Sequence, residues 1–434
     1  MSLPNNTSAR PLSAPGPDSS LASWLQYLES IHPTEIDLGL DRVLVVFRRL
    51  FRRNPNARIV TVGGTNGKGS TVSALEGMLM AAGRTTGAYT SPHLARYNER
   101  VRIGGEEISD EAMVRAFEAV EKARGSTSLT YFEFGTLAAF VAFSNAGVQD
   151  WLLEVGLGGR LDAVNILDAD IAIITSIDLD HQAFLGNDLE TIGFEKAGIL
   201  RPRQTAIFAD FDPPQSILQQ AAAQKIRLLR PGQGYELAVS ADTPPSTCLS
   251  IDEDSFSVEV PSASLPVKSL AAAVVAIRKL EPDLPAERIE QALQSLRLPG
   301  RFEHLKESPL VIADVGHNPH AARWLSERVS ALKRPGQRVI AVYGALGDKD
   351  IEGVTGAMKS QVDEWLLAAL AVPRGVGCEQ LTRRVGLATD IPDARCFETV
   401  SKAVATALSE ADSQDMVLIF GSFYTVAEGR AAVL

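Results

Sequence analysis

Cysteine is scarce: the 434 residues hold three, at 248, 378 and 396, with no C-x-x-C pair. An odd count without close spacing predicts neither a disulfide framework nor a zinc site, and it suits a reducing cytoplasm. Long apolar runs are missing too. The longest candidate, near Leu270–Ile277, is short and alanine-rich, so it predicts a packed helix and not a membrane span. The first twenty residues lack a basic start followed by an apolar core, so no secretory leader is expected. Positive charge is in deficit, with 42 Lys and Arg against 53 Asp and Glu, a formal net charge of −11. That balance argues against a non-specific nucleic-acid binder and against an acidic membrane surface as partner. It leaves room for anionic small substrates, because a local cationic site can sit in an acidic protein.

What is present is an ordinary globular composition, 45% apolar and 22% charged. The length exceeds a comfortable single core, so two domains are expected. Residues 1–20 are rich in Pro, Ser and Asn and predict a disordered tail. Pro299-Gly300 punctuates two regimes of alternating strands and helices, dividing the chain into residues 21–297 and 298–434. No solenoid-type repeat is present.

The chain is organised around Val60-Thr61-Val62-Gly63-Gly64-Thr65-Asn66-Gly67-Lys68-Gly69-Ser70-Thr71. Ile59–Val62 predicts a buried strand, and Thr71–Met80 a helix. A strand, a glycine-rich turn and a helix start form an anion site. Backbone N–H groups point inward, the helix dipole adds positive potential, and Lys68 brings a full charge. The spacing is a variant of the common phosphate loop: Val62 stands five residues before Gly67, and Gly69 separates Lys68 from Ser70. The loop predicts a bound nucleotide triphosphate. It does not say what the energy drives.

Further along, polar residues recur after strand ends, where open parallel sheets bind ligands. Ser91–Arg100 follows the strand Thr85–Thr90, and Arg96, Arg100 and Arg102 can hold a carboxylate or phosphate. Trp151–Glu154 is a strand ending on an acid followed by glycines, the usual supplier of an oxygen ligand to a nucleotide-bound Mg²⁺. Ile171–Ile177 is a strand that delivers Asp178-Leu179-Asp180-His181. A lone histidine there is more often a capped loop residue than a ligand. Lys196 lies on a short helix, Thr191–Leu200, beside Glu195, and by itself reads as a surface ion pair. Helices are also expected at Leu21–Leu28, Asp41–Arg53, Asp110–Arg124, Pro266–Leu280 and Pro285–Leu296. Residues 205–266 predict short strands and turns. In the second domain, strands at Leu310–Ala313, Arg338–Tyr343, Trp365–Leu370 and Met416–Phe420 again end in polar loops. That domain has no phosphate loop of its own, so its loops are expected to close over the nucleotide of the first.

Seven motifs then fall in one order: Gly64–Ser70, Ser91-Pro92-His93-Leu94, Glu154–Asp162, Asp180-His181, Glu195–Ile199, Pro299-Gly300-Arg301 and Asp314–Pro319. Together they resemble the folylpolyglutamate synthase family of the muramyl (Mur) ligase superfamily, from about Leu21 to Arg430. The resemblance implies an α/β fold in two domains. The first is a P-loop Mur-ligase-like ATPase domain with a mostly parallel sheet, the second a smaller Rossmann-like domain. It implies ATP as co-substrate and two Mg²⁺ ions, with L-glutamate joined to a carboxylate through an acyl phosphate. Thr65, Asn66, Gly67, Lys68, Gly69 and Ser70 would cradle the phosphates. Ser91 and Glu154 would hold one metal, Glu154 and His181 the other. Lys196 matches the family's carbamylated lysine, which reverses its surface-pair reading. Arg301 and Asp314 match nucleotide contacts, and His317 a residue facing the γ-phosphate. Ser269 stands where the family often has an Asn beside adenine; a Ser reaches less far.

Asp37-Leu38-Gly39-Leu40, Thr130-Tyr131-Phe132-Glu133 and Leu161-Asp162-Ala163 correspond to the dihydropteroate-binding segments of the family's bifunctional members. These also make dihydrofolate, whereas monofunctional members only extend the glutamate tail of reduced folates. The resemblance therefore implies small-molecule partners (dihydropteroate, reduced folates and L-glutamate), a monomer and a cytoplasmic location. Three other readings are weighed. A nucleotide switch would hydrolyse ATP without an acceptor. A cell-wall Mur ligase would need an additional N-terminal domain for a UDP-sugar; about fifty-five residues precede the phosphate loop, the first twenty read as a disordered tail, and no room for such a domain is expected. A dead scaffold would not need intact phosphate and metal motifs.

Overall fold

The computed structural model describes residues 13–34, 36–240, 246–251, 256–261, 265–390 and 394–434. Most of the expected tail, residues 1–12, lies outside them. Residues 13–20 carry a turn at Gly16–Ser19, and Ser20 caps the helix Leu21–Ser30.

Eleven strands make the first sheet: β1 (Arg58–Gly63), β2 (Thr86–Tyr89), β3 (Val101–Ile103), β4 (Glu106–Glu107), β5 (Asp150–Glu154), β6 (Ile171–Ile174), β7 (Thr205–Phe208), β8 (Leu228–Pro231), β9 (Gly234–Val239), β10 (Thr247–Ile251) and β11 (Phe256–Val260). Their order is β11-β10-β9-β8-β7-β6-β1-β5-β2-β3-β4. β1 runs parallel between β5 and β6, and β2 and β7 extend the parallel run on either side. Both faces of this centre are covered, so its strands read as unbroken apolar runs. Successive side chains still part company. Ile59, Trp151 and Leu153 enter the core under the helices Asp110–Arg124 and Tyr131–Ala146, while Val60, Val62 and Leu152 enter the opposite one. Phe140 stacks on Trp151 at 5.5 Å in the first core. The second core is built on the helices Lys68–Ala81 and Val267–Leu280. Leu270–Ile277 is buried throughout, the packed helix its composition predicts.

Six strands form the second sheet: β12 (Glu303–Glu307), β13 (Leu310–Asp314), β14 (Val339–Tyr343), β15 (Glu364–Ala368), β16 (Arg395–Phe397) and β17 (Met416–Phe420). The order is β12-β13-β17-β14-β15-β16, parallel except for β12 at one edge. Helices on both faces complete a doubly wound α/β layer, with polar loops at the strand ends.

Several boundaries differ from the sequence reading. The helix from Asp41 stops at Leu50, where Phe51 turns extended, so Arg52 and Arg53 lie beyond it. Thr130 caps a helix, Tyr131–Ala146, that holds the rest of the Thr130–Glu133 segment in its first turn. The strand ends at Ile174, and Thr175 and Ser176 beyond it turn their polar groups to the phosphate loop. A helix, Gln215–Ala223, interrupts the region read as strands and turns. The cysteine reading is corrected: Cys378, at the start of the helix Cys378–Thr389, is disulfide-bonded to Cys396 on β16, and Cys248 is free and exposed. The two are 18 residues apart in sequence and meet only through the edge of the second sheet. Among the described residues no helix is long and apolar enough to cross a membrane.

Candidate active site

The phosphate loop leaves the C-terminal end of β1 at the centre of the first sheet. Gly64 has φ +140° and Gly67 φ +83°, a region that favours glycine. Space is also closed: a Cβ on Gly64 would stand 1.9 Å from Thr175 Oγ1, and one on Gly67 2.1 Å from Ser269 Oγ. The end of β6 fixes the loop. Thr65 N–H donates to Ser176 O at 2.8 Å, Asn66 N–H to Ser176 Oγ at 3.1 Å, and Thr175 Oγ1 to Asn66 O at 2.6 Å. The helix Lys68–Ala81 then starts at Gly67 with no side-chain cap. Its first N–H groups are left for an anion.

Two lysines meet on one carbonyl here. Lys68 Nζ donates to Gly64 O at 3.1 Å and Thr65 O at 3.1 Å, and Lys196 Nζ donates to Gly64 O at 2.9 Å. Lys196 is 5% exposed. Burial, followed by the charge of Lys68, pushes its amine down to about 7. Burial lowers Lys68 as well, opposed by Glu154 and Asp180. The surface pairing of Lys196 with Glu195 is not formed, since Glu195 binds Arg160 at 2.9 Å.

Glu154, the last residue of β5, is buried. Its Oε2 accepts the Ser91 N–H at 3.2 Å and faces Gly69 of the loop. Burial raises its carboxyl, against the lowering charge of Lys68. His181 sits in a left-handed conformation (φ 51°) at the start of a short turn, and burial pushes its imidazole down to about 4. A neutral imidazole keeps a lone pair for a metal. A hydroxyl, a carboxylate and a neutral imidazole are a donor set suited to Mg²⁺ or Mn²⁺. Among the described residues no three His, Cys, Asp or Glu gather into a metal cluster. Glu154 and His181, with the Ser91 hydroxyl, would fit a divalent ion that also takes oxygen ligands from a nucleotide.

The second domain closes the site from above. Asn66 and Asn318 exchange amide hydrogen bonds at 3.1 and 2.9 Å, and Asn66 also donates to His320 Nδ1 at 2.9 Å. Asp180 gathers Lys349 Nζ at 2.7 Å, Asn318 Nδ2 at 3.3 Å and His317 Nε2 at 3.5 Å. Burial disfavours the Asp180 carboxylate, yet His317 and Lys349 hold it well below the usual carboxylate range. Arg301 lies 5.1 Å over the Phe423 ring, within the electrostatic reach of Asp314 and Glu154. Asp314 spends its oxygens on the N–H groups of Phe302 and Gly316. His320 and Lys349 are site residues that the sequence reading did not single out, and Asp180 and Asn318 stood in its motifs without a role. Their position after strand ends was the available signal.

The three remaining segments are partly linked. Arg42 joins Asp37 at 2.7 Å to Glu133 at 2.9 Å, so residues 37–40 and 130–133 share one ion network. Glu133 also closes a capping box with Thr130. Phe132 packs over Gly156, where a Cβ would be 2.5 Å from the ring. Asp162 is buried and accepts the N–H groups of Gly156, Leu157 and Val164, which shapes the loop between Leu161 and Ala163. Two of the three candidate arginines are spent elsewhere: Arg102 on Glu76 at 2.8 Å and Arg96 on Asp110 at 3.3 Å.

A phosphate loop under a second α/β domain, with acid and lysine groups converging between them, defines an ATP-dependent ligase of the Mur class. The comparisons agree. Residues 62–261 match the Mur ligase middle domain and residues 300–423 the Mur ligase glutamate ligase domain. The chain is 46% identical over 409 residues to the dihydrofolate synthase/folylpolyglutamate synthase of Escherichia coli (strain K12), covering 94% of each. It is similar to the structure of E. coli FolC in complex with DHPP and ADP, with TM-score 0.90, 44% identity and coverage of 95% and 97%. It is equally similar to the Yersinia pestis bifunctional folylpolyglutamate synthase/dihydrofolate synthase complexed with AMPPNP and Mn ion (TM-score 0.89, 44% identity, 96% and 99%). The chain belongs to the dihydrofolate synthase/folylpolyglutamate synthase family.

Proposed function

We infer that this chain joins L-glutamate to two acceptors at the expense of ATP: 7,8-dihydropteroate, giving dihydrofolate, and the γ-carboxylate of reduced folates, extending the tail. The observation that carries this reading is the meeting of Lys68 and Lys196 on the Gly64 carbonyl, beside Glu154 and beneath the second domain's loops. The two-acceptor reading over tail extension alone is supported by the bifunctional relatives to which the chain is similar.

A carboxylate is a poor electrophile, so it attacks the γ-phosphorus and becomes an acyl phosphate, releasing ADP. The glutamate amine then attacks the acyl carbon, and phosphate leaves. The protein holds mutually repelling anions in line and neutralises the transferring group. Lys68 and the N–H groups of residues 67–70, which the loop's own bonds leave free, cradle the phosphates, while Thr65 and Asn66 shape the loop through Ser176. Ser91, Glu154, His181 and, once carbamylated, Lys196 would hold the metal side of the site. The divalent metal, when bound with ATP, neutralises phosphate charge as a Lewis acid. Arg301 and His317 approach the phosphates from the second domain, and Asp314 holds the strand end that presents them. Ser269 rests its hydroxyl against Gly67 and contributes to the floor of the loop. The reading includes a cytoplasmic monomer with no nucleic-acid or membrane partner.

Oxygen labelling tests the chemistry. With ¹⁸O in the acceptor carboxylate, one label should appear in each released phosphate. Unlabelled phosphate accompanied by ligated product would rule out the acyl phosphate.

A further inference from the structure

We propose that Arg100 binds the α-carboxylate of a folate acceptor and so distinguishes tail extension from the dihydropteroate reaction; this rests on the two-acceptor reading above. Arg100 ends the turn Tyr97–Arg100. Its backbone carbonyl accepts the Thr90 N–H at 2.9 Å, one residue before Ser91, whose own N–H binds Glu154. The arginine is therefore tied to the segment that reaches the phosphate loop. Its guanidinium is half-buried, 5.4 Å from the Tyr97 ring centre and 5.7 Å from that of Tyr131. Nε donates to His93 Nδ1 at 2.9 Å. That bond fixes the plane and turns the two terminal nitrogens outward as a fork that matches a carboxylate.

Among the described residues no carboxylate meets that fork. Its neighbours Arg96 and Arg102 have each found an acid. A half-buried guanidinium between two tyrosines, hydrogen-bonded only to a neutral group, is short of an anion. The surroundings say where the anion comes from. Tyr131 belongs to the Thr130–Glu133 segment and lies within electrostatic reach of both Arg100 and Tyr424 of the second domain. The fork thus lies on the side of the first domain that faces Tyr424, where the reading above would place the acceptor.

The two acceptors differ in their anions. Dihydropteroate carries one carboxylate, and that one is phosphorylated. A folate ends in glutamate, whose γ-carboxylate reacts while its α-carboxylate stays charged and must be accommodated. Arg100 supplies the missing countercharge for that spectator group.

The experiment compares wild type with Arg100→Gln using dihydropteroate, tetrahydrofolate monoglutamate and its α-carboxamide. With Arg100→Gln, KM for the folate should rise about tenfold or more, the loss typical of one charged hydrogen-bonding partner. Its kcat, and kcat/KM for dihydropteroate, should move by less than about threefold. Wild type should bind the α-carboxamide about tenfold less well than the folate, and Arg100→Gln should no longer tell the two apart. Arg100→Lys, which keeps the charge without the fork, should fall between. Equal losses with both acceptors, or an unchanged folate KM, would overturn the assignment. A wild type that ligates dihydropteroate but no folate would overturn it together with the two-acceptor reading, and the wild-type arm alone reveals that case.

Discussion

Replacing Lys349 with Met should open the enzyme without unfolding either domain. Lys349 Nζ meets Asp180 Oδ1 at 2.7 Å, and the pair crosses between the domains, from the loop after β14 to the loop after β6. Both side chains are 10% exposed, so water and salt screen the pair weakly. Truncating one partner of a fully buried pair costs about 3–5 kcal/mol, mostly for the charge left behind. Asp180 would keep Asn318 at 3.3 Å and His317 at 3.5 Å, so the cost here falls to about 2 kcal/mol. It falls on the closed arrangement alone, because both groups are solvated when the domains part. A cost of 2 kcal/mol is roughly a thirtyfold shift in an equilibrium constant. The ligation kcat/KM should drop by about that factor. The Asp180→Asn/Lys349→Met double variant should lose less than the two single losses combined, since it leaves no orphaned charge. Steady-state kinetics on the four proteins give the answer. A Lys349→Met enzyme within about twofold of wild type, or losses that simply add, would refute the argument.

Other outcomes follow from the same site. Lys196→Ala should lose about a hundredfold or more in ligation rate, because it removes the carboxylate that carbamylation provides; added acetate should restore part of it, and wild-type rates would contradict the role. Gly67→Ala should abolish measurable ATP binding by calorimetry, since the new Cβ meets Ser269 Oγ at 2.1 Å in a left-handed backbone. Glu154→Gln should raise the Mg²⁺ concentration needed for half-maximal rate by about tenfold or more, and chelation should silence the wild type; unchanged metal dependence would remove Glu154 from the metal.

The phosphate loop, the run of parallel strands and the acid ending β5 could be read directly, because each is written in local pattern: an apolar run, a glycine cluster, a helix start. Lys196 could not. Its partner carbonyl is 132 residues away in sequence, and only the closing of β6 and its following helix over β1 brings the two together. The contact between Asp180 and Lys349 spans 169 residues and two sheets. Such pairs leave no periodic trace, and the polar loops holding them look like ordinary solvated turns. The same distance effect misled the reading of the arginines after β2: nothing near Arg102 in sequence announces Glu76, whose carboxylate neutralises it. The cysteine pair escaped notice for a topological reason, lying on a helix and an edge strand that only the second sheet makes neighbours.

The most direct test of the central claim gives purified protein ATP, Mg²⁺ and L-glutamate with either 7,8-dihydropteroate or a reduced folate monoglutamate, and weighs the products by mass spectrometry. The account predicts one glutamate added to each acceptor, with one phosphate released per ligation. Phosphate release that is independent of acceptor, with no product heavier by a glutamate residue, would contradict it.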